Sequence, residues 1–202
     1  MTVVVVVSAA AELGTDVLAA VPADAIVVGA DRGAVLAADA GLSVTLAVGD
    51  FDSSVAPPGV PVERHPAAKD ATDLELALGA ALAFDPSRIV VLSGAGDRLD
   101  HLLGELSLLA GPLLAGIETD AWFGTTRAYV IRDRRTIEGR VDGVVSLVAV
   151  HGAAHGVTTE GLVYPLAGET LESGSTRGIS NVFAADRATV SLADGVVVAI
   201  AP

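Results

Sequence analysis

At 202 residues and 51% hydrophobic, the chain is long enough for one large or two small domains with a buried core. Its formal net charge of −13 argues against nucleic acid or an anionic membrane as partner, so an anionic substrate would need local cations and a metal. Apolar runs such as Val3 to Val7 are too short to span a bilayer and follow no basic leader, the absence of cysteine excludes disulfides and thiolate chemistry, and His65, His101, His151 and His155 are not spaced as a zinc site. The expected location is the cytoplasm.

Val3 to Val7 is a β-branched run of the kind found in strands buried on both faces, and Ala9 to Ala20 has helical composition. Residues 25–30 form a second apolar run ending in Asp31-Arg32-Gly33, after which Ala34 to Ala40 reads as a short helix stopped by Gly41. Val44 to Val48 is a third strand and ends in Gly49-Asp50-Phe51-Asp52-Ser53. Pro57-Pro58-Gly59 marks a loop, with a short strand expected over Val60 to Glu63. Thr72 and Glu75 have the spacing of a capping box, which predicts a helix start ahead of Leu76, Leu78 and Leu82. Ile89 to Leu92 is a further strand, and Leu99, Leu102, Leu103 and Leu106 then recur at helical spacing until Gly111-Pro112. Repeated strand, turn and helix predict an open, mostly parallel α/β sheet flanked by helices.

Beyond about residue 125 the texture changes. Ala128 to Ile131, Val144 to Val150, Leu162 to Leu166, Ala188 to Leu192 and Val196 to Ile200 are short strand-like runs with no convincing helix among them. They predict an all-β sandwich following the α/β part. The boundary is expected between Thr119 and Arg127, giving an α/β domain over 1–122 and a β-sandwich over 123–202.

Ligands of open α/β sheets bind outside the carboxyl ends of the strands. Asp31, Asp50, Asp52, Arg98 and Asp100 all fall just after predicted strands, and Thr72-Asp73 begins a helix. Carboxylates gathered at one edge repel one another, and a divalent cation with oxygen ligands relieves the conflict. Each position also has a plainer role: Asp50 and Asp52 as an Asx-turn, Thr72 and Asp73 as helix caps, and Asp97, Asp100 and His101 as caps of the next helix. Gly94-Ala95-Gly96 has the look of a phosphate turn, although two glycines alone are a weak signal. Lys69 is the single lysine among 12 basic residues, which is either chance or a need for a compact ammonium.

The order of these segments is more specific than any one of them. Residues 30–33 (Ala-Asp-Arg-Gly), 49–53 (Gly-Asp-Phe-Asp-Ser), 69–75 (Lys-Asp-Ala-Thr-Asp-Leu-Glu) and 96–101 (Gly-Asp-Arg-Leu-Asp-His) closely resemble the motif series of the thiamin pyrophosphokinase family. Residues 160–166 (Glu-Gly-Leu-Val-Tyr-Pro-Leu) and 178–181 (Gly-Ile-Ser-Asn) resemble its substrate-binding segments. The resemblance implies transfer of the diphosphate of ATP to the hydroxyl of thiamin, by a homodimer with the site at the subunit interface. It implies that Asp50, Asp52, Asp73 and Asp100 surround Mg²⁺ and the triphosphate, that Asp31, Lys69, Thr72 and Arg98 contact ATP, and that Tyr164, Ser180 and Asn181 contact thiamin. Arg32 and Asp97 stand where the family has glycine, which bears on nucleotide preference and efficiency. Three other readings stand beside this one: a pyrophosphokinase for another alcohol such as a hydroxymethyl-pterin, a non-catalytic thiamin or nucleotide binder, and acids serving only as turns and caps.

Overall fold

The computed structural model describes residues 1–202 except Glu12, Ser53 and residues 95–97. Two compact units are formed, one by Met1–Leu108 with Leu113–Thr125 and the other by Leu109–Pro112 with Thr126–Pro202.

The first unit is built on six parallel strands, β1 (Val3–Val7), β2 (Ile26–Ala30), β3 (Val44–Gly49), β4 (Val62–Arg64), β5 (Arg88–Ser93) and β6 (Glu118–Phe123). Their spatial order is β6-β5-β1-β2-β3-β4. The chain first winds outward from β1 to β4, then returns to the other side of β1 with β5. A topological switch point therefore lies between β1 and β5, and the loops leaving these strands diverge there and open a crevice. Val4 to Val7 are all fully buried because side chains alternate across the sheet and both faces are covered. On one face Val5 and Val7 pack with Val27, Val90 and Leu92 under Val17 of α1 (Thr15–Ala19) and Ala37 of α2 (Arg32–Asp39). Each fully buried valine contributes about 2 kcal/mol of transfer free energy. The helix α3 (Asp73–Ala81) packs on β1 to β3, and α4 (Leu99–Ala110) follows β5.

Two expectations for this unit are revised in detail. The helix expected over Ala9 to Ala20 is confined to Thr15–Ala19, because Ala9 and Ala10 form a turn and Gly14 is an extended N-cap. The short strand expected at Val60 to Glu63 lies at Val62–Arg64.

The second unit holds two antiparallel sheets. One has the order β12-β9-β14-β7, from β7 (Thr126–Ile131), β9 (Val144–Ala149), β12 (Asn181–Val182) and β14 (Val197–Ala201). The other has the order β11-β10-β13-β8, from β8 (Arg134–Glu138), β10 (Ala154–Glu160), β11 (Ala167–Leu171) and β13 (Arg187–Ser191). Tyr129, Leu147 and Val197 of the first sheet and Ile137, Val157 and Val190 of the second share one core with Phe183, as a sandwich requires. The predicted run Leu162 to Leu166 is not a strand. Gly161 turns the chain at φ 80, the Tyr164 N–H donates to the Asn181 side chain, and Pro165 has no N–H to give a ladder.

Candidate active site

A cavity of about 470 Å³ opens at the carboxyl ends of β1 and β2, beside the switch point. Ser8 and Ala10 after β1, Asp31 after β2, Thr72 to Glu75 at the start of α3, and Asp100, His101 and Glu105 on α4 line it. Small residues let these segments converge. A Cβ on Gly33 would fall 2.0 Å from the Val7 carbonyl oxygen, and one on Gly94 would fall 2.1 Å from that of Ala10.

Thr72 has the extended backbone of an N-cap, and its Oγ1 accepts from the Glu75 N–H at 3.2 Å, as the capping-box spacing predicts. The N–H groups of Asp73 and Leu74 have no partner within α3, so this helix start is suited to an anion. Arg98 Nε and Nη2 bind the Asp100 carboxylate in bidentate fashion at 2.9 and 2.7 Å, with both side chains largely exposed. The hydrogen bonds from Arg98 hold the Asp100 carboxyl well below the ordinary carboxylate range.

The Lys69 ammonium lies 2.6 Å from Asp50 Oδ2 and 2.9 Å from Asp73 Oδ1. Its hydrogen bond depresses the Asp50 pKa and, reciprocally, raises that of Lys69. Asp50 Oδ1 also accepts the Asp52 N–H at 3.2 Å, so the Asx-turn expected at this motif is present alongside the ion pair. Two carboxylates converging on one cation form a donor set that suits Mg²⁺, which takes one or two carboxylates plus substrate phosphates. Asp52 is exposed, Asp100 is engaged with Arg98, and among the described residues no group of three or more acids or histidines is gathered as a metal cage.

Backbone strain marks the same segments. Six described non-glycine residues have positive φ, and three of them, Asp31 (45°), Phe51 (53°) and Ser180 (59°), lie in the sequence motifs. Asp31 has no capping bond to α2 and instead accepts from Ser54 Oγ at 3.0 Å. Arg32 is exposed and does not line the cavity. Of the sequence-predicted residues, Asp31, Thr72, Asp73 and Asp100 line the cavity together, and Asp50 and Lys69 adjoin it through Asp73. Ser53, Ala95, Gly96 and Asp97 lie outside the described residues.

In the second unit, Asn181 is buried and its amide is committed to backbone. Oδ1 accepts from the N–H groups of Tyr164 at 3.1 Å and Val182 at 2.8 Å, and Nδ2 donates to the Tyr164 carbonyl at 2.7 Å. Tyr164 is exposed, flanked by exposed Val163. Ser180 is exposed and its N–H donates to Ser146 Oγ at 3.1 Å.

Sequence reasoning passed over Ser8, Ser93 and Glu105. Ser8 and Ser93 each sit at the carboxyl end of a β-branched strand, which is the signal that could have found them.

An α/β sheet with a cavity beside its switch point, followed along the chain by a β-sandwich, is the frame that the comparisons with known proteins match. The thiamin pyrophosphokinase catalytic-domain model matches residues 19–119, and the thiamin pyrophosphokinase vitamin B1 binding-domain model matches residues 134–197. A thiamine pyrophosphokinase of Bacillus subtilis (strain 168) is 31% identical over 191 residues, covering 86% of this chain and 85% of that protein. Crystal structures of thiamine pyrophosphokinase from Bacillus subtilis and of thiamin pyrophosphokinase from Geobacillus thermodenitrificans superpose with TM-scores of 0.85 and 0.83 at 28% and 27% identity. The first covers 100% of this chain and 98% of its own, the second 99% and 97%. The chain belongs to the thiamin pyrophosphokinase family. A pterin-directed enzyme is not favoured, because the vitamin-binding half matches as well as the catalytic half.

Proposed function

We propose that this protein is an ATP-dependent thiamin diphosphokinase, giving thiamin diphosphate and AMP. The observation that carries the reading is the convergence of Asp31, Thr72, Asp73 and Asp100 from three separate motifs on one cavity at the sheet's switch point. The thiamin hydroxyl oxygen attacks the β-phosphorus, a new O–P bond forms, and the bond from that phosphorus to the α–β bridging oxygen breaks with its electron pair leaving on AMP. Asp73 or Asp100 orients the hydroxyl or takes its proton as the new O–P bond forms. Lys69, Arg98 and the free N–H groups of α3 neutralise charge on the phosphates.

Mg²⁺ would be held by Asp50 and Asp73, with Asp52 and Asp100 as further ligands toward the phosphates. When bound it supplies electrostatic stabilisation of the transferred group. Tyr164 would present its ring to the cationic vitamin, Ser180 would hydrogen-bond it, and Asn181 would hold the Tyr164 backbone in place, its own remaining N–H reaching the vitamin. Exposed Val163, Tyr164 and Ile179 support a homodimer with the site completed across the subunit interface. The division proposed between the catalytic and vitamin-binding parts is 122/123, close to the change of compact unit at Thr125/Thr126. No described helix is long and apolar enough to cross a membrane, and the proposed location is the cytoplasm, where ATP is available.

Incubation with thiamin, ATP and Mg²⁺, followed by chromatography, should give thiamin diphosphate and AMP in equal amounts. Folded protein that releases neither product overturns the reading, and thiamin or nucleotide binding without AMP release would make the protein a binder.

A further inference from the structure

Glu105, on the cavity side of α4, is a carboxylate that the transfer chemistry described above does not use. It lines the cavity and is partly buried, Ser93 lies close enough to lower its pKa as a hydrogen-bond donor, and its Oε2 is buried with no hydrogen-bond partner among the described residues. Ser93 ends β5 and Ser8 follows β1, so the two strands that flank the switch point each end in a buried serine. Their hydroxyl oxygens are 2.8 Å apart. Either hydroxyl can donate to the other; with Ser8 as donor the Ser93 proton would be left for Glu105, and each bond would polarise the next. The chain of donors stops at Glu105 with one oxygen unfilled.

A half-satisfied carboxylate in a cavity wall is costly in the free protein. Burial pushes the Glu105 pKa up, against the smaller effects of Ser93 and His101. Such a group is stabilised by a hydrogen-bond donor and destabilised by a phosphate. The phosphate-directed groups, Lys69 and the free N–H groups of α3, belong to the Asp50 and Asp73 side of the site. What meets Glu105 is therefore a neutral, donor-bearing part of a ligand, and at the switch point of an α/β sheet that part is a nucleoside.

We infer that Glu105 is a specificity-determining residue for the phosphate donor, accepting a hydrogen bond from an amino or hydroxyl group of its nucleoside portion, with Ser8 and Ser93 fixing the carboxylate. The inference rests on ATP as the phosphate donor.

The test compares kcat/KM for ATP, 2′-deoxyATP, 3′-deoxyATP and purine riboside triphosphate, which lacks the amino group, in the wild type, Glu105→Ala and Glu105→Gln at saturating thiamin and Mg²⁺. Deleting the partner group should cost the wild type about tenfold or more and Glu105→Ala less than about twofold. Glu105→Gln, which keeps an acceptor oxygen, should retain part of the discrimination. Unchanged discrimination in Glu105→Ala, an equal loss with all four nucleotides, or an effect confined to the KM for thiamin overturns the inference. Thermal stabilisation by the same Mg²⁺-nucleotides is measured alongside. If the wild type forms no thiamin diphosphate, the functional reading fails, and the pattern of stabilisation still decides the role of Glu105.

Discussion

The ammonium of Lys69 bridges Asp50 Oδ2 at 2.6 Å and Asp73 Oδ1 at 2.9 Å, so the chain's single lysine lies between two of the acids that the motif series singles out. It joins the end of β3 to the first turn of α3, and it balances charge where two carboxylates would otherwise repel. Replacing it by methionine removes that balance and a cation beside the first turn of α3. Lys69→Met is expected to lower kcat/KM for ATP by about 10²-fold. Lys69→Arg should restore little, because a planar guanidinium does not place one compact charge between both carboxylates. Steady-state kinetics with varied ATP check this, with near-UV circular dichroism confirming the fold.

The same pair sets a pH dependence. Asp50 has a pKa depressed by Lys69, so its contribution to stability is present above the unfolded value of about 3.9 and is lost as pH falls through the lower folded value. Lys69 has a raised pKa, so its share is present below about 10.4 and is lost only as pH rises through the higher folded value. The difference in Tm between wild type and Asp50→Asn should be flat from about pH 5 to 9 and shrink at both extremes. Thermal melts across that range measure it, and a difference that grows toward acid pH would contradict the assignment.

Glu105 runs the other way. Its carboxyl has a raised pKa from burial, so its ionisation costs stability as pH rises through the folded value. Glu105→Gln should raise Tm at pH 7 relative to wild type and lose that advantage near pH 4. A gain in stability joined to a partial loss of nucleotide discrimination is the signature of a group kept for binding.

Asn181 makes three backbone hydrogen bonds, two of them to Tyr164, which makes it a positioning residue for the exposed aromatic ring. Asn181→Ala removes three part-buried hydrogen bonds to the Tyr164 and Val182 backbone and is expected to cost about 1–3 kcal/mol of stability. Under conditions where the variant is folded, the KM for thiamin should rise more than that for ATP. Equal effects on both substrates would place Asn181 outside the vitamin site.

Asp120 does not line the cavity and serves as a control. It is fully buried in β6 and is paired by Arg88 through Nε at 3.1 Å and through Nη2. Asp120→Ala should cost about 1–3 kcal/mol, because charge-assisted hydrogen bonds are lost at a buried position while Arg88, partly exposed, keeps Glu118 at 3.3 Å. Urea unfolding measures the loss, and turnover per folded molecule should be unchanged.

Local chemistry along the chain suffices for the ladder of elements and the motifs at their ends. β-branched runs such as Val3 to Val7 have only one comfortable setting, a strand buried on both faces, and the Thr72 to Glu75 spacing fixes a helix start through local hydrogen bonds alone. Features that depend on partners distant in the chain were decided only by tertiary structure. The helical composition of Ala9 to Ala20 yields to a turn because Ala10 must pass close to Gly94, and the apolar run at Leu162 to Leu166 becomes a pinned loop because Asn181 takes the Tyr164 N–H. The chain positions of Asp50, Asp73 and Lys69 say that each is near a strand end or helix start. Only the fold brings Asp50 and Lys69, 19 residues apart, to 2.6 Å. Ser8 and Ser93 are 85 residues apart, and their contact exists because the strand order reverses between β1 and β5, a long-range choice that no local propensity encodes.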